Sequence, residues 1–222
     1  MVKRKVVAMI PARLGSQRLV EKNLKKIGEK NLVEICIEKC QASGVFDEIW
    51  VNTESEKLGR IATEKGVRFY KRGLALSSND ATSEDFVYDF AKNIDCEYIV
   101  QVHTITPLLG ADEISDFTRR FILSGANTGL SYEEINLECV HLDSPVNFTF
   151  QKKQNSQNLT PVKKIAWSIT GWKPSAFRQG ECNTYIDPIY YHRVRRESAI
   201  AIKTAEDLKI CQKLYNHHKS IA

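Results

Sequence analysis

Short apolar runs alternate with amphipathic stretches along most of this chain. Val6–Ile10 is continuously apolar and rich in β-branched residues, which is typical of a strand buried on both faces of a parallel sheet. Further strands are predicted at Glu48–Thr53, Val67–Tyr70, Tyr98–Val102, Asn127–Tyr132 and Ile189–His192. Apolar stripes at helical spacing predict helices at 32–43, Glu56–Lys65, Glu84–Ile94 and Asp112–Ser124, and the segment Glu197–Leu208 leads into a final helix that ends at about His217. The alternation predicts an α/β fold, a mostly parallel sheet with helices on both faces.

The pattern changes after Gly125. Residues 136–180 contain short strands and turns, and a polar run at 151–157 predicts the tip of a hairpin. A chain of 222 residues fits one α/β domain, 1–222, with 136–180 as an excursion from it.

Composition narrows the classes of function. The formal net charge of +5 suits an anionic small substrate, and the chain lacks the arginine–aromatic interleaving of single-strand binders, so no nucleic-acid partner is expected. No apolar run approaches the roughly 20 residues of a membrane span, and no signal-peptide pattern follows the basic amino terminus. The six cysteines, at positions 36, 40, 96, 139, 182 and 211, do not have zinc-site spacing. We therefore expect a cytoplasmic protein with free thiols and no membrane contact.

The loop that follows the first strand contains the candidate chemistry. It begins at Pro11, which cannot donate a hydrogen bond to the sheet, and runs through Arg13, Gly15 and Ser16 to Lys22. The carboxyl edge of such a strand is where α/β folds bind ligands. Small residues let backbone N–H groups approach a phosphate, and Arg and Lys supply positive charge. The loop matches neither the Walker A motif nor G-x-G-x-x-G, and a basic surface loop is the alternative interpretation.

The complete segment from Ile10 to Asn23 indicates a protein family more specifically than any of these features alone. It resembles the amino-terminal motif Ile-Pro-Ala-Arg-x-Gly-Ser-Lys-x-x-Pro-x-Lys-Asn of the sugar-acid cytidylyltransferases, which include the CMP-sialic acid synthetases and their relatives for pseudaminic, legionaminic and Kdo-type acids. The matching residues are Ile10, Pro11, Ala12, Arg13, Gly15, Ser16, Lys22 and Asn23. Gln17 stands where the family usually has Lys, and Val20 where it usually has Pro. The resemblance extends to about Leu214.

The resemblance implies a fold, a reaction and partners. The fold would be nucleotide-diphospho-sugar transferase-like, and 136–180 would be an antiparallel arm that pairs with a second subunit in a homodimer. The reaction would transfer CMP from CTP to a sialic-acid-like sugar acid and release pyrophosphate, with Mg²⁺ as the expected cofactor.

The resemblance also implies site residues. Arg72 and Ser83 fall in the segment that lines the family's cytosine pocket, although Ser83 also fits a helix N-cap in a surface loop. His103 replaces a base-contacting Gln, with a plain turn residue as the alternative, and Leu109 replaces an Arg. The implied nucleotide-binding set is Ala12, Arg13, Leu14, Gly15, Ser16, Lys22, Asn23, Arg72, Ser83 and His103, and the candidate catalytic residues are Arg13, Lys22 and Lys203.

The metal motif departs from the family pattern. Family members carry Asp-Ile-Asp near the carboxyl end, whereas this chain has Ala201-Ile202-Lys203. Neither Ala nor Lys can ligate Mg²⁺, which requires oxygen ligands, so no metal ligand is assigned. Lys203 could replace part of the ion's charge, or a nearby carboxylate (Asp187, Glu197 or Asp207) could hold the ion. The third possibility is a catalytically silent homologue that binds a nucleotide or a partner.

Overall fold

The computed structural model describes residues 4–179 and 183–221. Gly180, the end of the predicted arm, and the predicted free thiol of Cys182 lie outside the described residues. The strands are β1 Val6–Pro11, β2 Lys26–Ile27, β3 Lys30–Asn31, β4 Glu48–Thr53, β5 Arg68–Lys71, β6 Tyr98–Val102, β7 Thr128–Ile135, β8 Val140–His141, β9 Ser144–Pro145, β10 Val162–Trp172 and β11 Ile189–Arg193. The α-helices are α1 Leu32–Ser43, α2 Glu56–Glu64, α3 Ser83–Asn93, α4 Ala111–Ser124, α5 Pro174–Gln179 and α6 Ala205–Ile221.

Strand β1 lies in the interior of the sheet, as its apolar run predicts. Val6, Ala8 and Ile10 pack into one apolar cluster, whereas Val7 and Met9 pack into another. Because successive side chains of a strand point to opposite faces, both faces of the sheet are covered.

Seven strands form the main sheet in the order β11-β7-β10-β6-β1-β4-β5. The β1 strand pairs in parallel with β4 and β6, β4 pairs in parallel with β5, and β7 pairs in parallel with β11. Only β10 runs antiparallel to its neighbours in this sheet. The chain reverses its direction of travel across the sheet at β1, and such a switch point opens a crevice at the carboxyl ends of the strands.

Helices cover both faces. Helices α1, α2 and α4 contribute Cys36, Leu58 and Phe117 to one cluster, and α3 and α5 contribute Phe90 and Phe177 to the other. The α1 helix forms where expected because a reciprocal capping box joins Asn31 and Glu34, and Gly44 ends it in the left-handed conformation (φ 63°).

The segment predicted as an arm divides into two parts. Residues 136–161 contain the β8–β9 hairpin and a short 3-10 helix, and several large apolar side chains there are exposed: Leu137, Val140, Leu142, Val146 and Phe150. Residues 162–172 form β10, and Trp172 is 1% exposed in the core. The excursion from the sheet therefore ends at about residue 161, because β10 pairs with β6 and β7. Within the described residues, no helix is both long and apolar enough to cross a membrane.

Candidate functional site

A cavity of about 410 Å³ opens at the carboxyl edge of β1 and β6. Its walls come from the loop after β1, the loop after β6 and the first turn of α3. The lining residues are Pro11, Ala12, Arg13, Ser16, Gln17, Arg18, Lys22, Asn23, Arg72, Asn79, Ser83, Phe86, His103, Thr104 and Ile105. The cavity thus lies at the switch point of the sheet, where the order of strands predicts a ligand.

Most of the predicted site residues meet at this cavity. Eight of them line it: Ala12, Arg13, Ser16, Lys22, Asn23, Arg72, Ser83 and His103. Leu14 instead packs against the core, and its backbone N–H donates to Glu54. Gly15 lies in open space, with no heavy atom within 4 Å of where a Cβ would stand. Lys203 does not line the cavity, although its charge acts on Lys22 there.

Glu54 holds the first loop to Arg72. Its Oε1 accepts a hydrogen bond from the Leu14 N–H at 3.0 Å, and its Oε2 accepts one from the Arg72 guanidinium at 3.1 Å. Arg72 also donates to the Ala12 carbonyl at 3.3 Å and lies 5.0 Å from the centre of the Phe86 ring. Burial lowers the pKa of Arg72, and the neighbouring Glu54 carboxylate opposes that shift. Arg72 is therefore a fixed cation in the cavity wall.

Asn23 ties the loops after β1 and β6 together. Its side-chain nitrogen donates to the Arg13 carbonyl at 2.8 Å, and its oxygen accepts from the Thr104 hydroxyl at 2.6 Å. The Arg13 guanidinium in turn donates to the carbonyls of Ser77 and Ser78, at 3.1 and 2.8 Å. These contacts make Asn23 a residue that shapes the cavity.

Ser83 is not the N-cap of α3 that the sequence predicted. Thr82 is the cap: its hydroxyl accepts from the Asp85 N–H at 3.3 Å, and the Asp85 carboxylate accepts from the Thr82 N–H at 2.7 Å. The capping box takes Thr82 because Asp85, at the third helical position, completes it. Ser83 consequently presents its hydroxyl at the cavity with no capping role.

His103 follows β6 directly and is held at both its backbone and its ring. Its N–H donates to the Ser168 carbonyl at 3.2 Å, and its Nε2 lies 2.5 Å from the side-chain nitrogen of Gln101. Burial, together with the charges of Lys39 and Lys22, lowers the pKa of His103 to about 4. At neutral pH the imidazole therefore offers hydrogen bonds without adding a charge.

The lining of the cavity is strongly positive. Arg13, Arg18 and Lys22 line it, and among the described lining residues there is no carboxylate. Burial lowers the pKa of Lys22, and the charges of Arg18, Arg13 and Lys203 lower it further. Cations that disfavour one another in this way favour a polyanion between them.

The residues present do not fit a magnesium ion. Ala201 and Lys203 offer no side-chain oxygen, and Oδ2 of Asp207 already accepts from the N–H groups of Lys203 and Thr204 at 2.9 and 2.8 Å. Of the other predicted alternatives, Glu197 faces Arg195 at 3.5 Å, and Asp187 does not line the cavity. Within the part of the chain that the structure describes, no group of three His, Cys, Asp or Glu residues could hold a metal.

A larger cleft, of about 660 Å³, lies beside the ends of β7 and β11. Five carboxylates and three arginines line it, and two of the arginines are paired closely with carboxylates: Arg195 contacts Asp112 at 2.7 Å and Glu113 at 2.8 Å, and Arg193 contacts Glu134 at 3.1 Å. The cleft is therefore less suited to an anionic ligand than the smaller cavity is.

Several cavity residues escaped the sequence analysis. Arg18 and Thr104 lie in the same loops as predicted site residues, and that position in the sequence could have identified them. Asn79 and Phe86 carried no signal, because the folding of the 72–86 segment against β1 brings them to the cavity. Glu54, which does not line the cavity but holds its wall, follows β4, and its position at the carboxyl end of a strand next to β1 was the only signal for it.

Known proteins share sequence with this chain. The sequence model of one family, described as cytidylyltransferase, matches residues 7–158. The chain is 30% identical over 134 residues to an N-acylneuraminate cytidylyltransferase of Streptococcus agalactiae serotype III, which covers 59% of this chain and 32% of that protein. It is 25% identical over 159 residues to a pseudaminic acid cytidylyltransferase of Campylobacter jejuni, covering 69% and 66%. The match thus spans about a third of the first relative.

Solved structures confirm the predicted fold class. A CMP:2-keto-3-deoxy-manno-octonic acid synthetase complexed with CTP superimposes with a TM-score of 0.73 at 15% identity, over 96% of this chain and 99% of that one. A 4-diphosphocytidyl-2C-methyl-D-erythritol synthase gives 0.68 at 14% identity, over 97% and 100%. At these identities the likeness concerns the fold alone.

Proposed function

The chain belongs to the cytidylyltransferase family, and from this premise we propose that it transfers CMP from CTP to a sialic-acid-like sugar acid and releases pyrophosphate. The observation that carries the proposal is the cavity at the switch point, with Arg13, Arg18 and Lys22 in its lining. The relatives named above support a sugar acid as the acceptor.

The reaction needs charge stabilisation and positioning more than covalent help. A hydroxyl oxygen of the sugar acid attacks the α-phosphorus of CTP and forms a new P–O bond. The bond from that phosphorus to the bridging oxygen breaks, pyrophosphate leaves with the electron pair, and the hydroxyl proton passes to water. Arg13 and Lys22 stabilise the negative charge that grows on the phosphate oxygens.

Three other lining residues suit the base. Cytosine presents an acceptor carbonyl and a donor amine at its edge. The Arg72 guanidinium, the Ser83 hydroxyl and the neutral His103 imidazole all line the cavity and supply both kinds of partner. We assign these three residues to the cytosine.

The excursion at 136–161 suits a second copy of the chain. Its five exposed apolar side chains, which include Leu142 at 84% and Phe150 at 67% exposure, are costly to leave in water. A homodimer in which this segment contacts the partner subunit would cover them. The cytoplasmic location stays a prediction.

Calorimetric titration with CTP, UTP and ATP tests the nucleotide assignment. We expect CTP to bind most tightly, and Lys22→Met to weaken it at least about tenfold, because a contact between an ammonium and a phosphate is charge-assisted. Lys92→Met is the matched control, since Lys92 is exposed on α3 and lies outside the cavity. Absence of CTP binding, or equal effects of the two variants, would overturn the assignment.

The alternative function, a silent homologue that binds nucleotide without turnover, rests on Ala201-Ile202-Lys203 alone. Formation of a CMP-sugar by the purified protein separates the two, because a silent homologue forms none.

A further inference from the structure

The backbone beside Lys203 is fixed against the wall of the cavity. The N–H of Ile202 donates to the Ile105 carbonyl at 2.8 Å, and Ile105 lines the cavity. The Ile202 side chain is fully buried in a cluster with Leu32 and Cys211. These contacts hold the start of the Lys203 side chain next to the loop that follows β6.

The next residues hold Lys203 from the other side. Thr204 and Asp207 cap α6 reciprocally, and the Asp207 carboxylate also accepts the Lys203 N–H at 2.9 Å. The backbone N–H groups of Lys203 and Thr204 lower the pKa of Asp207, and the Lys203 ammonium adds a smaller effect. The same ammonium, after burial and the charges of Arg18 and Arg13, lowers the pKa of Lys22. Its charge therefore acts on the Lys22 ammonium at the cavity, while the side chain itself remains exposed.

We propose that Lys203 joins Arg13, Arg18 and Lys22 in neutralising the triphosphate, so that this chain binds a nucleoside triphosphate without a divalent cation. The inference rests on the proposed function and concerns how the same site handles charge. It follows from the side chains present: Ala201 and Lys203 offer no oxygen ligand, Lys203 brings a cation, and Oδ2 of the nearby Asp207 accepts the hydrogen bonds of a helix cap.

The charges at the cavity predict whether Mg²⁺ strengthens or weakens the binding of the nucleotide. A bound Mg²⁺ cancels part of the triphosphate's negative charge before the protein meets it. In a site that offers carboxylates to the ion, Mg²⁺ helps the nucleotide to bind, because the ion bridges the carboxylates and the phosphates, which are both anionic. In this chain the triphosphate meets cationic side chains instead, namely Arg13, Arg18, Lys22 and Lys203. The metal-free nucleotide should therefore bind more tightly than its Mg²⁺ complex, because it keeps its full negative charge.

Calorimetry of CTP with the full chain, in EDTA and in excess Mg²⁺, tests this directly. We expect the wild-type Kd in EDTA to equal or lie below the Kd in Mg²⁺. Lys203→Met should weaken binding in EDTA by roughly tenfold, as expected for loss of a charge-assisted contact. Lys209→Met, an exposed lysine further along α6, removes the same charge and should leave the Kd within about threefold, because Lys209 does not adjoin the cavity and solvent screens its charge over the added distance.

A double variant sharpens the test. A201D/K203D places two carboxylates beside the cavity, so its binding should weaken in EDTA and recover when Mg²⁺ is added. Thermal unfolding of each variant checks that the chain still folds, which is expected because Lys203 is exposed.

The outcomes separate this inference from the proposed function. Wild-type binding that Mg²⁺ tightens more than about threefold overturns the inference and leaves the nucleotide assignment standing. Equal Kd values for Lys203→Met and Lys209→Met in EDTA also overturn it. Absence of CTP binding in both buffers overturns the proposed function itself.

Discussion

Replacing Glu54 with Gln tests how the cavity is held in shape. The Glu54 carboxylate receives the Leu14 N–H at 3.0 Å and the Arg72 guanidinium at 3.1 Å. The side chains of this ion pair are 11% and 3% exposed. Glu54→Gln keeps an oxygen for Leu14 but removes the charge that compensates Arg72, so the guanidinium stays buried without a counter-ion.

The expected cost follows from the burial of the pair. Removing one partner of a buried ion pair costs about 3–5 kcal/mol, because the other charge is left uncompensated. Arg72 keeps the Ala12 carbonyl and the Phe86 ring as partners, and these stabilise the cation in part. We therefore expect the lower end of the range, a loss of about 3 kcal/mol in the free energy of unfolding.

Urea unfolding measures this loss, and the chain supplies a matched control. Glu56 pairs with Lys71, but those side chains are 59% and 63% exposed, so Glu56→Gln should cost no more than about 1 kcal/mol. In a double-mutant cycle, Arg72→Met with Glu54→Gln should cost less than the sum of the single losses, because the buried charge has gone. Equal losses for Glu54→Gln and Glu56→Gln would refute the reasoning.

Three further predictions concern the rest of the chain. Burial and two nearby lysines lower the pKa of His103 from 6.5 to about 4, so the stability that its neutral form contributes is complete above pH 6.5 and is lost as pH falls towards 4. Between pH 7 and 5 the wild type should lose about 2 kcal/mol more than His103→Gln in urea unfolding, and parallel losses would contradict this. Gly59→Ala should cost about 1–2 kcal/mol despite its better helix propensity, because the new Cβ would stand 2.5 Å from the Phe69 ring; a raised melting temperature would show the opposite. Burial raises the pKa of Cys211 to about 11, so iodoacetamide at pH 8 should label it, by mass spectrometry, far more slowly in the native than in the unfolded protein, and equal rates would exclude a protected thiol.

Local pattern was enough to predict much of the fold. The apolar run at Val6–Ile10 has to be buried on both faces, and a loop with Arg13, Gly15 and Lys22 after it indicates an anion site at the sheet edge. The boundaries of α1 also follow from local signals, because Asn31 and Glu34 cap its start and Gly44 ends it.

The rest depends on contacts between distant segments. The excursion ends where β10 enters the sheet between β6 and β7. This boundary could not be predicted locally, because a strand's own residues do not specify its neighbours in the sheet. Glu54 carried no special pattern, yet it joins Leu14 to Arg72 across 40 and 18 residues of sequence. The loss of the metal motif, by contrast, can be seen directly in the sequence as Ala201-Ile202-Lys203. The helix cap that Asp207 forms is a contact that the structure revealed.

The central claim is that the protein uses this cavity to transfer CMP from CTP to a sugar acid. The most direct measurement incubates the purified protein with CTP and, in turn, sialic, pseudaminic, legionaminic and Kdo-type acids, with and without Mg²⁺, and follows pyrophosphate and CMP-sugar by mass spectrometry. We expect a CMP-sugar with at least one of these acids, in amounts equal to the pyrophosphate released, and its loss in Lys22→Met. Tight CTP binding with no CMP-sugar from any of these acids would contradict the claim and leave a nucleotide-binding homologue.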